Sequence, residues 1–264
     1  RLLTGIRTGV PEPAVVQVFV ARLDDRAWWV RQSAAHALER VASPDAFEQL
    51  EIAVKPLHRT LQDEVRAVRQ AALNVLIRLN APPTIESLVA ALKDVAWSVR
   101  LSAAEALETL GWEPARDQEI DYWIARGEPG RCVSRGIEAV PALVWVLDDQ
   151  YPPLVADTID ALVRLGHLAV PALLEALHHK DWWAREAAAV RALLRIGSPR
   201  AVVPLIQALS DRSYSVRETS SRALGALGDP RAVPYLAALS RHDPHLLVRT
   251  AACEALRVLP APQR

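Results

Sequence analysis

The chain has 264 residues, 51% of them apolar and 5% aromatic, and its 31 basic and 31 acidic side chains leave no net charge. That balance excludes disorder and collagen-like repeats, and two cysteines, Cys132 and Cys253, build neither a disulfide framework nor a metal quartet. No apolar run approaches the roughly 18 residues that cross a bilayer, the N-terminal RLLTGIRTGV lacks a signal peptide's apolar core, and zero charge speaks against a phosphate-binding track, so a cytoplasmic protein is expected. The absence of any Met, including an initiator, suggests a piece of a longer protein.

In chain order, an alanine-rich helix recurs, opened in most cases by an Arg. Taking that opening position as an anchor places it at Arg31, Arg69, Arg100, Val155, Glu186, Arg217 and Arg249, with spacings of 38, 31, 55, 31, 31 and 32. A unit of 31 accounts for all of them if seven extra residues lie in the first interval and 24 in the third. Three, four and seven positions after the anchor stand Ala34, Ala35 and Leu38, then Ala103, Ala104 and Leu107, and later Ala189, Val190 and Leu193. Small residues and one large aliphatic thus share a helical face, as close helix packing requires. The last four anchored helices are each preceded by an apolar stretch whose start is marked by Pro141, Pro171, Pro204 or Pro234, where a missing amide proton costs nothing. Gly111, Gly166, Gly197 and Gly228, eleven after their anchors, are placed for left-handed helix stops. The expected architecture is therefore all-α: seven helical hairpins that cannot bury their apolar faces singly and so stack into one α-solenoid over residues 1–264. The one departure is the segment 112–138, with an extra helix expected from Asp117 to Arg126 followed by a turn at Gly127, Pro129 and Gly130.

The segments GDPRAVPYLAAL, SPRAVVPLIQALSDRSYSVRETSSRALGALG and ALKDVAWSVRLSAAEALETLG resemble the HEAT-like repeats of phycobilisome lyases. The resemblance covers nearly the whole chain and implies an armadillo-type superhelix. It leaves function open, since similar arrays serve as adaptors, bilin-attachment chaperones, di-iron deoxyhypusine hydroxylases and DNA glycosylases. The inserted stretch also looks like a segment of HEAT-like regions in large prokaryotic signalling or NTPase-containing proteins.

Catalytic constellations are scarce. The hydroxylases of this fold carry paired His-Glu ligands, and the dipeptide does not occur; nor does a P-loop or a G-x-S-x-G elbow. His178/His179 and His242/His245 come close together but read as solvated link residues, and Cys132, beside Arg131 and Arg135, has no partner base at a telling spacing. An Asp six residues before the anchor, at Asp25, Asp63, Asp94, Asp211 and Asp243, recurs too regularly for an active site and reads as a structural ladder between neighbouring hairpins. Val155 and Glu186 interrupt it.

Two surfaces could meet a partner. Three before the anchor stand Trp28, Trp97, Trp183 and Tyr214, an aromatic edge that suits protein hot spots, although such a ring can equally cover the end of its own hairpin. Five after the anchor stand His36, Asn74, Glu105, Asp160, Arg191, Arg222 and Glu254, polar in every repeat and therefore outward-facing. That charge-mixed face suits a charged peptide or folded protein. The expected function is a non-enzymatic protein-interaction scaffold or adaptor without cofactor or metal, within a larger cytoplasmic assembly. The alternatives are a bilin lyase or pigment-handling chaperone subunit, as the resemblance implies, and a nucleic-acid-binding protein, which the neutral charge disfavours.

Overall fold

The computed structural model describes residues 12–79, 82–177 and 183–260, leaving aside the side chains at 82–84 and 183–187. Every regular element among them is a helix. They pair as seven hairpins: α1 (Pro13–Arg22) with α2 (Trp28–Val41), α3 (Phe47–Thr60) with α4 (Arg66–Leu79), and α5 (Pro82–Ala91) with α6 (Trp97–Thr109). A short α7 (Glu119–Ala125) follows, and then α8 (Val140–Val146) with α9 (Pro152–Leu165), α10 (Val170–Ala176) with α11 (Trp183–Ile196), α12 (Val202–Ala208) with α13 (Tyr214–Leu227), and α14 (Val233–His242) with α15 (Leu246–Val258). The fold is an α-solenoid of the HEAT kind. Each of the seven anchors is the fourth residue of its helix, so one register governs the whole chain.

The chain divides into two compact units, Arg1–Arg126 and Gly127–Arg264. In each, second helices stack on second helices: α2 on α4 and α4 on α6 in one, α9 on α11, α11 on α13 and α13 on α15 in the other. The seam is built from the residues that the repeat predicts. Ala35, Leu38, Leu76, Ala104 and Leu107 are fully buried in the first unit, as are Leu162, Leu193 and Leu224 in the second. One close approach is at Gly225 on α13, where a Cβ would lie 2.8 Å from both Cα and Cβ of Ala255 on α15. A glycine there lets two helix backbones meet at a distance that alanine cannot.

Hairpin boundaries follow local chemistry. Pro141, Pro171 and Pro234 sit in the first turn of their helices, and Pro204 is the third residue of α12. Short 3-10 turns such as Pro199–Ala201 and Pro230–Ala232 lead into α12 and α14, a feature that the sequence pattern did not signal. All four glycines expected to stop second helices have positive φ, and Gly228 is a left-handed cap at φ 69°.

The insert is shared between the units. Its helix α7, shorter at both ends than expected, packs on α6 and its flanks, with Tyr122 edge-on to Trp112 just after α6, Asp121 paired with Lys93 of the link before it (3.1 Å) and Arg126 paired with Glu108 of α6 (3.1 Å). The rest, a 3-10 run from Pro129 to Ala139 bent at Gly136, packs against α9 within the second unit. No described helix is long and apolar enough to cross a membrane.

Candidate functional site

Two surfaces belong to the second helices: the edge where each begins and the face that it turns outward. The edge is held by a ladder of guanidinium groups. Arg31 donates from Nη1 to the carbonyl of Asp25 in its own link, while Nε and Nη2 grip both carboxylate oxygens of Asp63 in the next link, at 2.5 and 2.9 Å. Arg69 does the same with the Asp63 carbonyl and the Asp94 carboxylate (2.6 and 2.9 Å), and Arg217 with the Asp211 carbonyl and the Asp243 carboxylate (2.7 and 3.1 Å). Each gripped carboxylate also accepts the amide two residues on, from Val65, Ala96 or His245. A planar five-donor group is needed for this double duty, which lysine could not perform. The Asp–Arg spacing of six is thus a ladder whose rungs join the first three links and the last two.

Burial works against ionisation of Asp63 and Asp243, but the guanidinium groups of Arg31 and Arg217 and the backbone amides outweigh it, holding both carboxyls below their usual range. The side chain of Glu186 lies outside the described residues. A pocket of about 320 Å³ opens along the links of the second and third hairpins. Asp63, Arg69 and Asp94 in its lining are already engaged in the ladder, and Lys93 is paired with Asp121.

The structure describes three of the four predicted aromatic rings, each at the start of its second helix, two in the first unit and one in the second. Trp28 and Tyr214 are exposed, by 43% and 47%, and Trp97 is half-buried; Trp183 heads α11, its ring outside the described side chains. Trp28 meets Trp29 edge-on at 6.0 Å between centroids. Tyr214 stacks on His245 of the following link at 3.9 Å and 13°. His245 was missed as its companion because the pairing crosses from one hairpin to the next. His178 and His179 lie outside the described residues, and Cys132 is buried.

Five after the anchor, His36 and Glu105 in the first unit and Asp160, Arg191, Arg222 and Glu254 in the second are exposed, and Asn74 of the first is half-buried. These charges are more engaged than spacing suggested. Asp160 pairs with Arg195 of the next hairpin, Arg222 with Glu218 (3.0 Å) and His36 with Glu39 (3.0 Å), and Asn74 accepts from Gln70, which also reaches Ser102. Arg78 and Arg164, nine after their anchors, reach back to the carbonyls of Ala42 and Gly130. Arg191 is exposed and has no ion-pair partner among the described residues. Away from both surfaces, His58 of α3 lies 2.6 Å from Ser87 of α5; burial lowers the His58 pKa against the pull of Glu86. No repeat position marks that contact.

HEAT repeats match residues 51–108, 140–202 and 170–257, more than half of the chain. The chain belongs to the HEAT-repeat family, of the phycobilisome-lyase type. It is 40% identical over 90 residues to phycocyanobilin lyase subunit beta of Pseudanabaena tenuis, a match covering 34% of this chain and 32% of that one. A bilin biosynthesis protein of Synechococcus sp. is 37% identical over 105 residues, 39% of this chain and 50% of the relative. The phycobilisome maturation protein of Synechococcus elongatus is 31% identical over 149 residues, 52% of this HEAT-repeat chain and 72% of the relative. The chain therefore spans 32% of the first of these relatives and 50% of the second.

These relatives overturn the expectation of a non-enzymatic scaffold and adaptor, because proteins sharing this repeat are named as lyase subunits. The expectation rested on the lack of a nucleophile and base at telling spacing. An enzyme that joins two substrates can act by holding reactive groups that the substrates themselves carry.

Proposed function

We propose that this chain acts in bilin attachment, as a subunit of a bilin lyase. The observation that carries the reading is the 40% identity to a phycocyanobilin lyase subunit across 90 residues, supported by further lyase subunits at 36% and 38%. A bilin is an open-chain tetrapyrrole: a conjugated, largely flat body with two propionate side chains. Recognition calls for guanidinium groups spaced to meet two carboxylates, and for polar surface near the conjugated body.

The outward face of the second unit offers such a pair. Arg191 and Arg222 occupy the same position of α11 and α13, which pack directly, and helices in contact lie about 8–10 Å apart, a span that propionates on neighbouring pyrroles can bridge. Arg191 is open, and Arg222 shares its charge only with the (i, i+4) Glu218, an exposed pair that a carboxylate ligand can displace at small cost. The bilin-accepting protein would use aromatic residues at the starts of second helices, such as the exposed Trp28 of the first unit, a ring of the kind that anchors protein interfaces. In this reading the chain works by placing bilin and acceptor together, with binding as its catalytic contribution.

The test is a titration of phycocyanobilin into the chain, followed by absorption and fluorescence, beside an attachment assay in which apo-phycocyanin is read for covalent pigment on a denaturing gel. Saturable binding is expected, weakened about tenfold or more in the Arg191→Ala/Arg222→Ala variant, or about 1.4 kcal/mol per decade. Failure of the pigment spectrum to change, together with no acceleration of attachment or removal, would sink the reading.

A further inference from the structure

Within the first unit, a polar row crosses three second helices that pack in sequence. Five after the anchor, His36 of α2, Asn74 of α4 and Glu105 of α6 stand in one register. The middle of the row is a floor: Gln70, Asn74 and Ser102 are half-buried, while His36 and Glu105 on either side are exposed. That floor is tied across two hairpins, because Gln70 Nε2 donates both to Oδ1 of Asn74 on its own helix (3.2 Å) and to Oγ of Ser102 on α6 (3.2 Å). Holding amide side chains in one geometry costs rotamer entropy, and these bonds use only part of what the groups can make. Among the described residues the Asn74 Nδ2 donors and the Gln70 Oε1 acceptor have no partner.

A fixed donor beside a fixed acceptor complements one residue of an extended main chain, whose carbonyl and amide present the reverse pair. The open charge next to this floor is Glu105, which no cation meets among the described residues. Glu39 is taken by His36 and Glu108 by Arg126, and Arg78, one turn from Asn74, donates Nε to the Ala42 carbonyl. Arg40, the exposed cation of α2 on this face, lies two helices away from Glu105. Packed helices stand about 8–10 Å apart, and an extended chain rises about 3.3 Å per residue. A residue bonded at Gln70 and Asn74 therefore brings one about three places along to Glu105.

We infer that the outward face of α4 and α6 binds an extended, basic peptide segment, its main chain bonded to Gln70 and Asn74 and a Lys or Arg side chain seated on Glu105. The segment is extended because the amide pair reads a carbonyl and an amide that a helix would have satisfied within itself. It is basic because the open charge beside the floor is a carboxylate. None of these residues takes part in the bilin reading, whose arginines belong to the second unit, so either can fail without the other.

Fluorescence anisotropy of a dye-labelled octapeptide of alternating Lys and Ala, titrated with the whole chain, tests it. Saturable binding is expected, with a Kd between about 10 µM and about 1 mM. An octapeptide of alternating Glu and Ala should bind about tenfold more weakly or worse, and so should a Lys–Ala depsipeptide whose esters keep the charges but remove main-chain donors. Asn74→Ala and Gln70→Ala should each weaken the Lys peptide about tenfold with unchanged helical circular dichroism. Glu105→Gln, at an exposed position, should erase most of the preference for Lys over Glu. The Arg191→Ala/Arg222→Ala variant should bind the Lys peptide as the wild type does. No binding at about 1 mM, equal binding of peptide and depsipeptide, a charge preference that survives Glu105→Gln, or binding lost in the Arg191→Ala/Arg222→Ala variant would overturn the proposal.

Discussion

Arg69 and Asp94 are each only 8% exposed at the side chain, so their contact is that of a buried pair. Removing the guanidinium would leave a carboxylate in a low-dielectric link together with the unpaired carbonyls of Asp63 and Glu64. Arg69→Ala is therefore expected to cost about 3–5 kcal/mol in urea unfolding, and Arg69→Lys much of the same, because an ammonium cannot fork. The same residues set an acid limit. Asp63 and Asp243 are more acidic folded than unfolded, so their stabilisation is complete above the unfolded carboxyl pKa of about 4 and is lost as pH falls through the lower folded values. His58, also lowered, adds stability above its unfolded value of about 6.5 and loses it as pH falls through its folded one. Thermal melts from pH 8 to pH 3 should show two declines, with the upper one missing in His58→Gln. Both halves of the ladder were legible in the sequence because Asp and Arg recur at a fixed offset. His58 with Ser87 and Tyr214 with His245 were not, since such contacts join hairpins through single residues that no period repeats.

Among the helices, second helices were easier to read than first ones. A second helix carries the small-residue stripe, and four of them a glycine stop, at fixed places; a first helix is as short as seven residues, and several are entered through a 3-10 turn that leaves no apolar period. The insert was recognisable as an interruption, but its division between two packing partners depends on tertiary contacts at Tyr122, Asp121 and Arg126. Close packing of second helices makes Gly225 a sensitive position. Gly225→Ala gains helix propensity of about 1 kcal/mol, yet its Cβ would press on the Ala255 backbone, which no rotamer change relieves. A net loss of about 1–2 kcal/mol is expected from overpacking, measured by urea unfolding, with Ala255→Gly on the facing helix restoring part of it.

Taken whole, the chain contains two cores, one in each unit, and a repeat array is stabilised chiefly by nearest-neighbour seams. Residues 1–126 and 127–264 expressed separately should each melt cooperatively and retain helical circular dichroism; an unfolded fragment would show that its core depends on the other. The solenoid class was fully legible from the period, whereas the bilin chemistry was visible only as a resemblance. Arg191 and Arg222, to which the proposed function assigns the propionates, carry no mark in the sequence that separates them from other solvated arginines.

The ladder also bears on how such a chain changes length over generations. Every rung takes its donor from one repeat and its acceptor from the next, always at the same two positions, so duplicating or deleting one whole unit of 31 residues inside a run of rungs leaves every surviving donor opposite an acceptor. A recombination joint placed at any fraction of that unit breaks a rung and strands a buried charge. Copy number can thus drift by whole repeats while the seam chemistry polices the reading frame of the architecture, and the 112–138 insert lies at a point where that bookkeeping is suspended.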